Sequence, residues 1–316
     1  MLSRLRRIFD RRFRDSRLIN KIMLIYVSIS VVPILILGAF LVMQERNTMQ
    51  RQRTEYMKNA LEQAAYSVSS DIRVYNNLSD YVAYNQTVSD ALTGSYSSKY
   101  DLYEQYEKTI DPILQSPSYF SPDIEKLKIY VNNGLPSHGE TIAQLSDIKS
   151  TKWYKENKDS LNQSVTWIID SKKHKIRSVR TMPLMEMNNV TALLYIEVKY
   201  NALFDSFDNI CQDGQGLVVL DENGNTVYQK VNGVSAKAVP VSRLMSGESR
   251  YGHFYIESKK IQGLQLTAYM YGKNSFFIWQ NVQLVIVLLV YISIVIATLL
   301  IASRMFQRYV VNDITS

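Results

Sequence analysis

The sequence predicts an α+β fold in a two-span membrane protein, with a long N-terminal stalk helix and then two small α/β units in tandem outside the membrane. Three observations predict this. Charge-free apolar runs lie between Lys21 and Glu45 and between Lys273 and Arg304. Apolar residues recur at helical spacing from Met57 to Val82. Past residue 124 their period drops to two, the pattern of half-buried strands.

In the first run, 14 of the 22 residues from Ile22 to Met43 are Ile, Leu, Val or Phe. As a helix that length spans about 33 Å, enough to cross the hydrocarbon of a bilayer. In the second run, 15 of the 21 residues from Val282 to Ala302 are Ile, Leu or Val. Together they contribute on the order of 5–9 kcal/mol toward insertion. The basic leader is long and no small-x-small site precedes Gln44, so the first run reads as an uncleaved anchor. Arg and Lys in residues 1–21, with Arg304 and Arg308 after the second run, put both termini in the cytoplasm. Residues 44–281 are then extracytoplasmic in a two-pass membrane protein, with lipid as one partner.

The formal charge of +7 sits at the two ends. Residues 1–21 hold seven Arg and Lys21 against Asp10 and Asp15, and residues 303–316 hold Arg304 and Arg308 against Asp313, which accounts for all of it. A neutral body argues against nucleic acid as a partner. A single cysteine, Cys211, excludes an intrachain disulfide and a cysteine zinc cage. Cys211 reads as a small core residue. His138 and Glu140 have no third ligand nearby in sequence, so no metal and no cofactor are expected. The basic run Lys172, Lys173, His174, Lys175 and Arg177 has the charge to grip an anion, but a charged hairpin tip is the favoured reading.

The outer region divides in order. From Gln44 to Thr93 there is no glycine or proline, and Met57, Leu61, Ala64, Val68, Ile72, Tyr75, Leu78 and Val82 form the apolar stripe of a helix ended by Gly94-Ser95. The stripe is close to a heptad seam, so a homodimer is expected along it. A second helix over residues 100–110 is expected to stop at Asp111-Pro112, with a loop over 116–123. Strands follow around Leu127–Val131, Val165–Ile169, residues 176–182 and residues 190–198, then a helix over 200–210. A hairpin turns at Asn223-Gly224, and two more strands occupy 250–257 and 264–270. The segments are a leader (1–21), first span (22–43), stalk helix and helical connector (44–123), first α/β unit (124–210), second unit (211–273), second span with lead-in (274–302) and the start of a linker (303–316).

This order resembles the double Cache sensor domain, whose two units are PAS-like. The segment "VTWIIDSKKHKIRSVRTMPLMEMNNVTALLYIEVKYNALFDSF" (165–207) resembles the centre of the membrane-distal Cache unit. "GLVVLDENGNTVYQK" (216–230) is similar to the opening hairpin of the membrane-proximal one, and Trp153-Tyr154 stands where the family usually carries a Trp-Tyr pair. The leader with "INKIMLIYVSISVVPILILG" and the tail "SRMFQRYVVNDITS" resemble YesM-type sensor histidine kinases, in which a HAMP linker follows the second span. Two departures stand out. Amino-acid-binding Cache domains carry an Arg where this chain has Thr151, and Asp313 replaces the HAMP proline.

Cache ligands bind on a sheet face covered by loops. Alternation puts Tyr195 and Glu197 on the face opposite Val190, Ala192 and Leu194. The resemblance implies that Glu197 matches the family's amine-binding carboxylate, with Trp153 and Tyr154 as walls and Trp167, Tyr130 and Arg180 as further ligand-binding candidates. The alternative is plain packing, with Trp153 in a core and Glu197 paired with Arg180 or a nearby lysine.

The expected function is extracytoplasmic ligand sensing for a two-component sensor histidine kinase, the ligand being a small molecule or glycan fragment. No catalytic domain is expected within residues 1–316. The predicted cytoplasmic parts hold no histidine, and His138, His174 and His253 fall outside the membrane. A response regulator would be engaged only through a kinase domain not in this chain. A polysaccharide co-polymerase and the sensor half of a chemoreceptor are the alternatives. The first usually carries a proline-rich motif at its second span, and residues 276–316 hold no proline.

Overall fold

The computed structural model describes residues 18–132, 134, 136–184, 190–273 and 282–306. The chain divides into two compact units, residues 54–274 on one hand and residues 1–53 with 275–316 on the other. The larger unit contains both α/β halves.

Helix α1 (Leu18–Ala83) runs through Pro33 without a break. Within the larger unit, Met57, Leu61, Ala64, Val68, Ile72, Tyr75 and Val82 are buried, as the stripe predicts. The helix does not continue to Thr93. It ends at Ala83, and Asn85 caps a separate α2 (Gln86–Thr93) by accepting the Val88 amide at 3.2 Å.

The predicted stop at Asp111-Pro112 is also corrected. α3 (Lys99–Gln105) passes through a π turn (Tyr106–Ile110) into α4 (Asp111–Phe120), which covers much of the expected loop. In the π turn the Asp111 amide bonds to Tyr106 O, five residues back. Pro112 then enters at the first turn of α4, where a missing N–H costs little.

Among the described residues, ten strands build two five-stranded sheets. The first contains β1 (Ile124–Val131), β2 (Ile142–Gln144), β3 (Thr166–Asp170), β4 (Lys175–Thr181) and β5 (Ala192–Lys199), in the order β2-β1-β5-β4-β3. Two short helices, α5 (Ser146–Lys149) and α6 (Lys152–Asn157), lie between β2 and β3, and α7 (Tyr200–Asp208) follows β5. The second contains β6 (Gln215–Asp221), β7 (Thr226–Asn232), β8 (Arg250–Tyr251), β9 (Phe254–Ile261) and β10 (Leu266–Lys273), in the order β7-β6-β10-β9-β8. α8 (Val241–Met245) sits between β7 and β8. Counted within each unit the two orders are the same. They differ at the first connection, where β2 pairs parallel to β1 but β7 pairs antiparallel to β6.

The expected strand over 250–257 is split by a turn at Gly252, φ +55°, into β8 and β9. β2 and the helices α5, α6 and α8 are additional to the sequence reading. The Asn223-Gly224 turn forms as predicted, with Gly224 at φ +80° and the Asp221 carboxylate accepting the Asn223 and Asn225 amides.

One apolar core runs from α1 to both sheets, joining Leu61, Val68 and Ile72 to Ile129, Leu194 and Ile196 of the first and to Val219, Ala268 and Met270 of the second. Close approach makes this possible. A Cβ on Gly272 would stand 2.8 Å from Met57 Sδ. The β9–β10 turn docks on α1 through the Gln262 amide, which donates to Ser69 Oγ at 2.9 Å. Each sheet also carries a smaller cluster on its other face.

A helix α9 (Val282–Phe306) follows. Counted over the described residues, no helix is long and apolar enough to cross a membrane. Parts of both runs lie outside the residues whose side chains are described, so the two spans stay an expectation of the sequence. Most of the leader, the lead-in to the second run and most of the HAMP-like tail lie outside the described residues.

Candidate functional site

Strand alternation sorts the first sheet into two faces. Leu127, Ile129, Trp167, Ile169, Ile176, Leu194 and Ile196 belong to the core shared with α1. Tyr130, Ile168, Val179, Leu193 and Tyr195 belong to the cluster on the other face, joined by Leu145, Ile148, Trp153, Tyr154 and Leu161 from the β2–β3 connection. Thr151 shapes that cover. Its hydroxyl donates to Ile148 O at 2.6 Å, and its carbonyl accepts the Lys155 amide in the first turn of α6.

Four predicted site residues come together there. Tyr130 meets Tyr195 edge-on at 5.6 Å between ring centroids, Trp153 lies 5.7 Å from Tyr195, and Trp153 and Tyr154 are 5.8 Å apart. Tyr195 is buried, whereas Trp153 and Tyr154 are half-buried at the rim.

Glu197 shares this face and is 2% exposed. Its Oε2 accepts the Tyr195 hydroxyl, and its Oε1 accepts Lys175 Nζ at 2.7 Å. Burial is the largest single influence on the Glu197 carboxyl and pushes it up. The bonds from Lys175 and Tyr195, with the charges of Lys175 and Lys126, together outweigh burial and hold the group below the usual carboxylate range. Burial, then the bond to Glu197, pushes the Tyr195 hydroxyl far up, and Tyr130 is raised first by burial and next by the Glu197 charge.

Arg177 completes the face; the sequence placed it in the basic run but not among the ligand-binding candidates. It is 4% exposed and stands across from Glu197 in the β4–β5 register. Its guanidinium lies 5.4 Å from the Trp153 ring centroid, and its Nε has no hydrogen-bond partner among the described residues. The basic run is therefore not all hairpin tip. Lys172, Lys173 and His174 are exposed, Lys175 is half-buried, and Arg177 points into the cluster. The signal was the odd-numbered alternation of Lys175, Arg177 and Val179, legible only once β5 is known to be the partner.

Trp167 and Arg180 leave the candidate set because they project from the other face. Trp167 packs on Tyr75, and its Nε1 donates to Asn76 Oδ1 at 3.0 Å. Arg180 bonds Asp80, the Tyr84 hydroxyl and Gln163 O. Glu197 thus pairs with Lys175 and not with Arg180.

The remaining candidates separate. His138 Nε2 lies 3.0 Å from Asp111 Oδ2, while Glu140 pairs with Lys128 at 2.6 Å. No group of three potential metal ligands occurs among the described residues. Cys211 is half-buried against the main core, and burial pushes its thiol up to about 11. A groove of about 460 Å³ lies between α1 and α7, lined by Tyr56, Ala60, Gln63, Ser67, Ser206 and Ile210 among others. It lacks the paired charges of the sheet face.

No protein-family model matches this chain, and no curated protein does. Solved structures do match. The extracellular domain of rpHK1S-Z16, described as a histidine kinase, is 11% identical over 71% of this chain and 95% of that one, with a TM-score of 0.43. The ligand-binding domain of the Pseudomonas aeruginosa PAO1 amino acid chemoreceptor PctC, in complex with GABA, is 11% identical over 69% of this chain and 98% of that one, with a TM-score of 0.41. The ligand-binding domain of the Campylobacter jejuni chemoreceptor Tlp3, in complex with 4-methylisoleucine, is 12% identical over 70% of this chain and 91% of that one, with a TM-score of 0.45.

Proposed function

We propose that this chain is the extracytoplasmic ligand-sensing and transmembrane module of a sensor histidine kinase of the YesM type. The ligand site is the outer face of the first sheet. One observation carries the reading: Tyr130, Trp153, Tyr154 and Tyr195 wall a face that also holds buried charges at Arg177 and Glu197. Packing alone favours apolar residues at such positions, whereas a recognition site needs a few placed polar groups within an apolar wall.

Two charge-free runs, each within a helix, support the two-pass topology with both termini in the cytoplasm. Binding of a small extracellular molecule then biases two states of the outer unit, and a span shift of ~1–2 Å carries the change to a HAMP-type linker. A homodimer would need a surface other than the near-heptad stripe of α1, because Met57, Leu61, Val68 and Ile72 are spent on the core this chain shares with its own sheets.

The test is a thermal-shift survey of the purified full chain against a metabolite library, with Trp153→Ala beside it. A ligand at ~100 times its Kd adds about 2.7 kcal/mol to stability, so wild-type Tm should rise while the variant stays flat. A folded wild-type protein that responds to nothing in the library, or an equal response in Trp153→Ala, overturns the reading.

A further inference from the structure

Arg177 is a permanent cation held out of water. An arginine side chain keeps its proton at any ordinary pH, so burial cannot be relieved by neutralisation as it can for lysine. At 4% exposure it has given up most of its hydration, and its Nε finds no acceptor among the described residues. The Trp153 ring face supplies part of the lost stabilisation. The nearest carboxylate in the strand register, Glu197, is already engaged at both oxygens, by Lys175 and by Tyr195. Arg177, Lys175 and Glu197 sum to one positive charge; of the other charged groups beside this face, Lys128 pairs with Glu140, and Lys126 and Asp147 are of opposite sign.

We propose that Arg177 is the anion-binding residue of this site and that the ligand is an organic carboxylate without an ammonium group. The inference rests on the reading of this face as the ligand site. The guanidinium fork matches a carboxylate in shape as well as charge. Tyr130, Trp153 and Tyr154 offer apolar area for the body of such a molecule, and the half-buried rim of Trp153 and Tyr154 is its route in. An amino acid would bring an ammonium to a face whose only buried carboxylate among the described residues is already neutralised.

The experiment uses the purified full chain and two matched sets of probes, each sharing one body. These are phenylpropionate, phenylalanine and phenethylamine, and propionate, alanine and ethylamine. Wild type should gain Tm with at least one carboxylate, and less with the amino acid and amine of the same body. Arg177→Met should abolish that gain, and Arg177→Lys should keep part of it. The apo protein gives a second readout. Removing a buried cation whose Nε has no acceptor among the described residues should raise the Tm of Arg177→Met by about 2–4 °C, whereas an arginine with a structural role would lower it. A lower apo Tm, a carboxylate response that survives Arg177→Met, or no carboxylate response in wild type overturns the inference. A response confined to amines or amino acids and lost in Trp153→Ala also overturns it, but leaves the ligand-site reading standing.

Discussion

Arg177 and Arg180 stand three residues apart on β4 and project from opposite faces of that strand. Arg177 rests on the Trp153 ring in the outer cluster. Arg180 turns the other way, to Asp80 near the end of α1 and to Tyr84, whose ring lies 5.0 Å from its guanidinium carbon. One strand thus carries a contact to the candidate site on one side and a clamp on the stalk helix on the other. A displacement of β4 by an occupant has a physical route to α1.

The clamp can be weighed by mutation. Arg180 is 3% exposed and bonds three groups, so Arg180→Met should cost about 1–3 kcal/mol in denaturant unfolding. Asp80→Asn leaves the charge of buried Arg180 without its carboxylate, so it should also cost about 1–3 kcal/mol. Hydrogen exchange should quicken over residues 80–93 in Arg180→Met. A cost below about 0.5 kcal/mol for Arg180→Met would show that Arg180 is not the centre of the clamp.

Glu197 sets a pH dependence whose sign is fixed. Its folded-state carboxyl lies below the ordinary value of 4.5, so it binds fewer protons folded than unfolded near that pH. Its contribution to stability is therefore full above the unfolded value and is lost as pH falls through the folded one. Glu197→Gln should lower stability at pH 7 by about 1–3 kcal/mol, with half-exposed Lys175 keeping the loss below that of a fully buried pair. It should also flatten the acid limb below about pH 4.5. An unchanged acid limb in the variant would assign that limb to other carboxylates.

Much of this site is legible in the order of residues alone. Alternation puts Tyr195 and Glu197 opposite Ala192 and Leu194, because the side-chain period of a strand allows nothing else. What alternation cannot give is the partner strand. Arg177 and Arg180 are both buried, and only the β4–β5 register shows that the first belongs with Glu197. The same gap hid the role of Trp167. Its place in a period with Ile169 was visible, but not that this period faces α1. Pro112 misled for another reason. The rule that proline stops a helix assumes an α turn, and here a π turn precedes it.

Two glycines separate steric clash from backbone strain. Gly263 has φ +86°, and a Cβ there would stand 2.8 Å from Ile72 Cγ2 on α1. Gly247 has φ +74° with nothing within 4 Å of its Cβ position. Gly247→Ala should cost about 1 kcal/mol, the penalty of a left-handed residue. Gly263→Ala carries that penalty plus the displacement of a buried isoleucine, so its cost should reach about 2–4 kcal/mol. Thermal unfolding of both variants decides it. Similar Tm losses would mean that the β9–β10 turn is free to retreat from α1.

The two-pass reading makes a prediction that chemistry can test in whole cells. If residues 44–281 face outward and both ends inward, Ser160 and Ser316 lie in different compartments. Ser160 is exposed, in the connection between α6 and β3. In a Cys211→Ala background, Ser160→Cys should react with a maleimide that cannot cross lipid when intact cells are treated. Ser316→Cys should react only after the membrane is opened. The expectation follows from the Arg-rich leader and from Arg304 with Arg308, since basic flanks are retained on the cytoplasmic side. Labelling of both positions in intact cells, or of neither, would place them together and remove the route by which an outer ligand could reach a cytoplasmic linker.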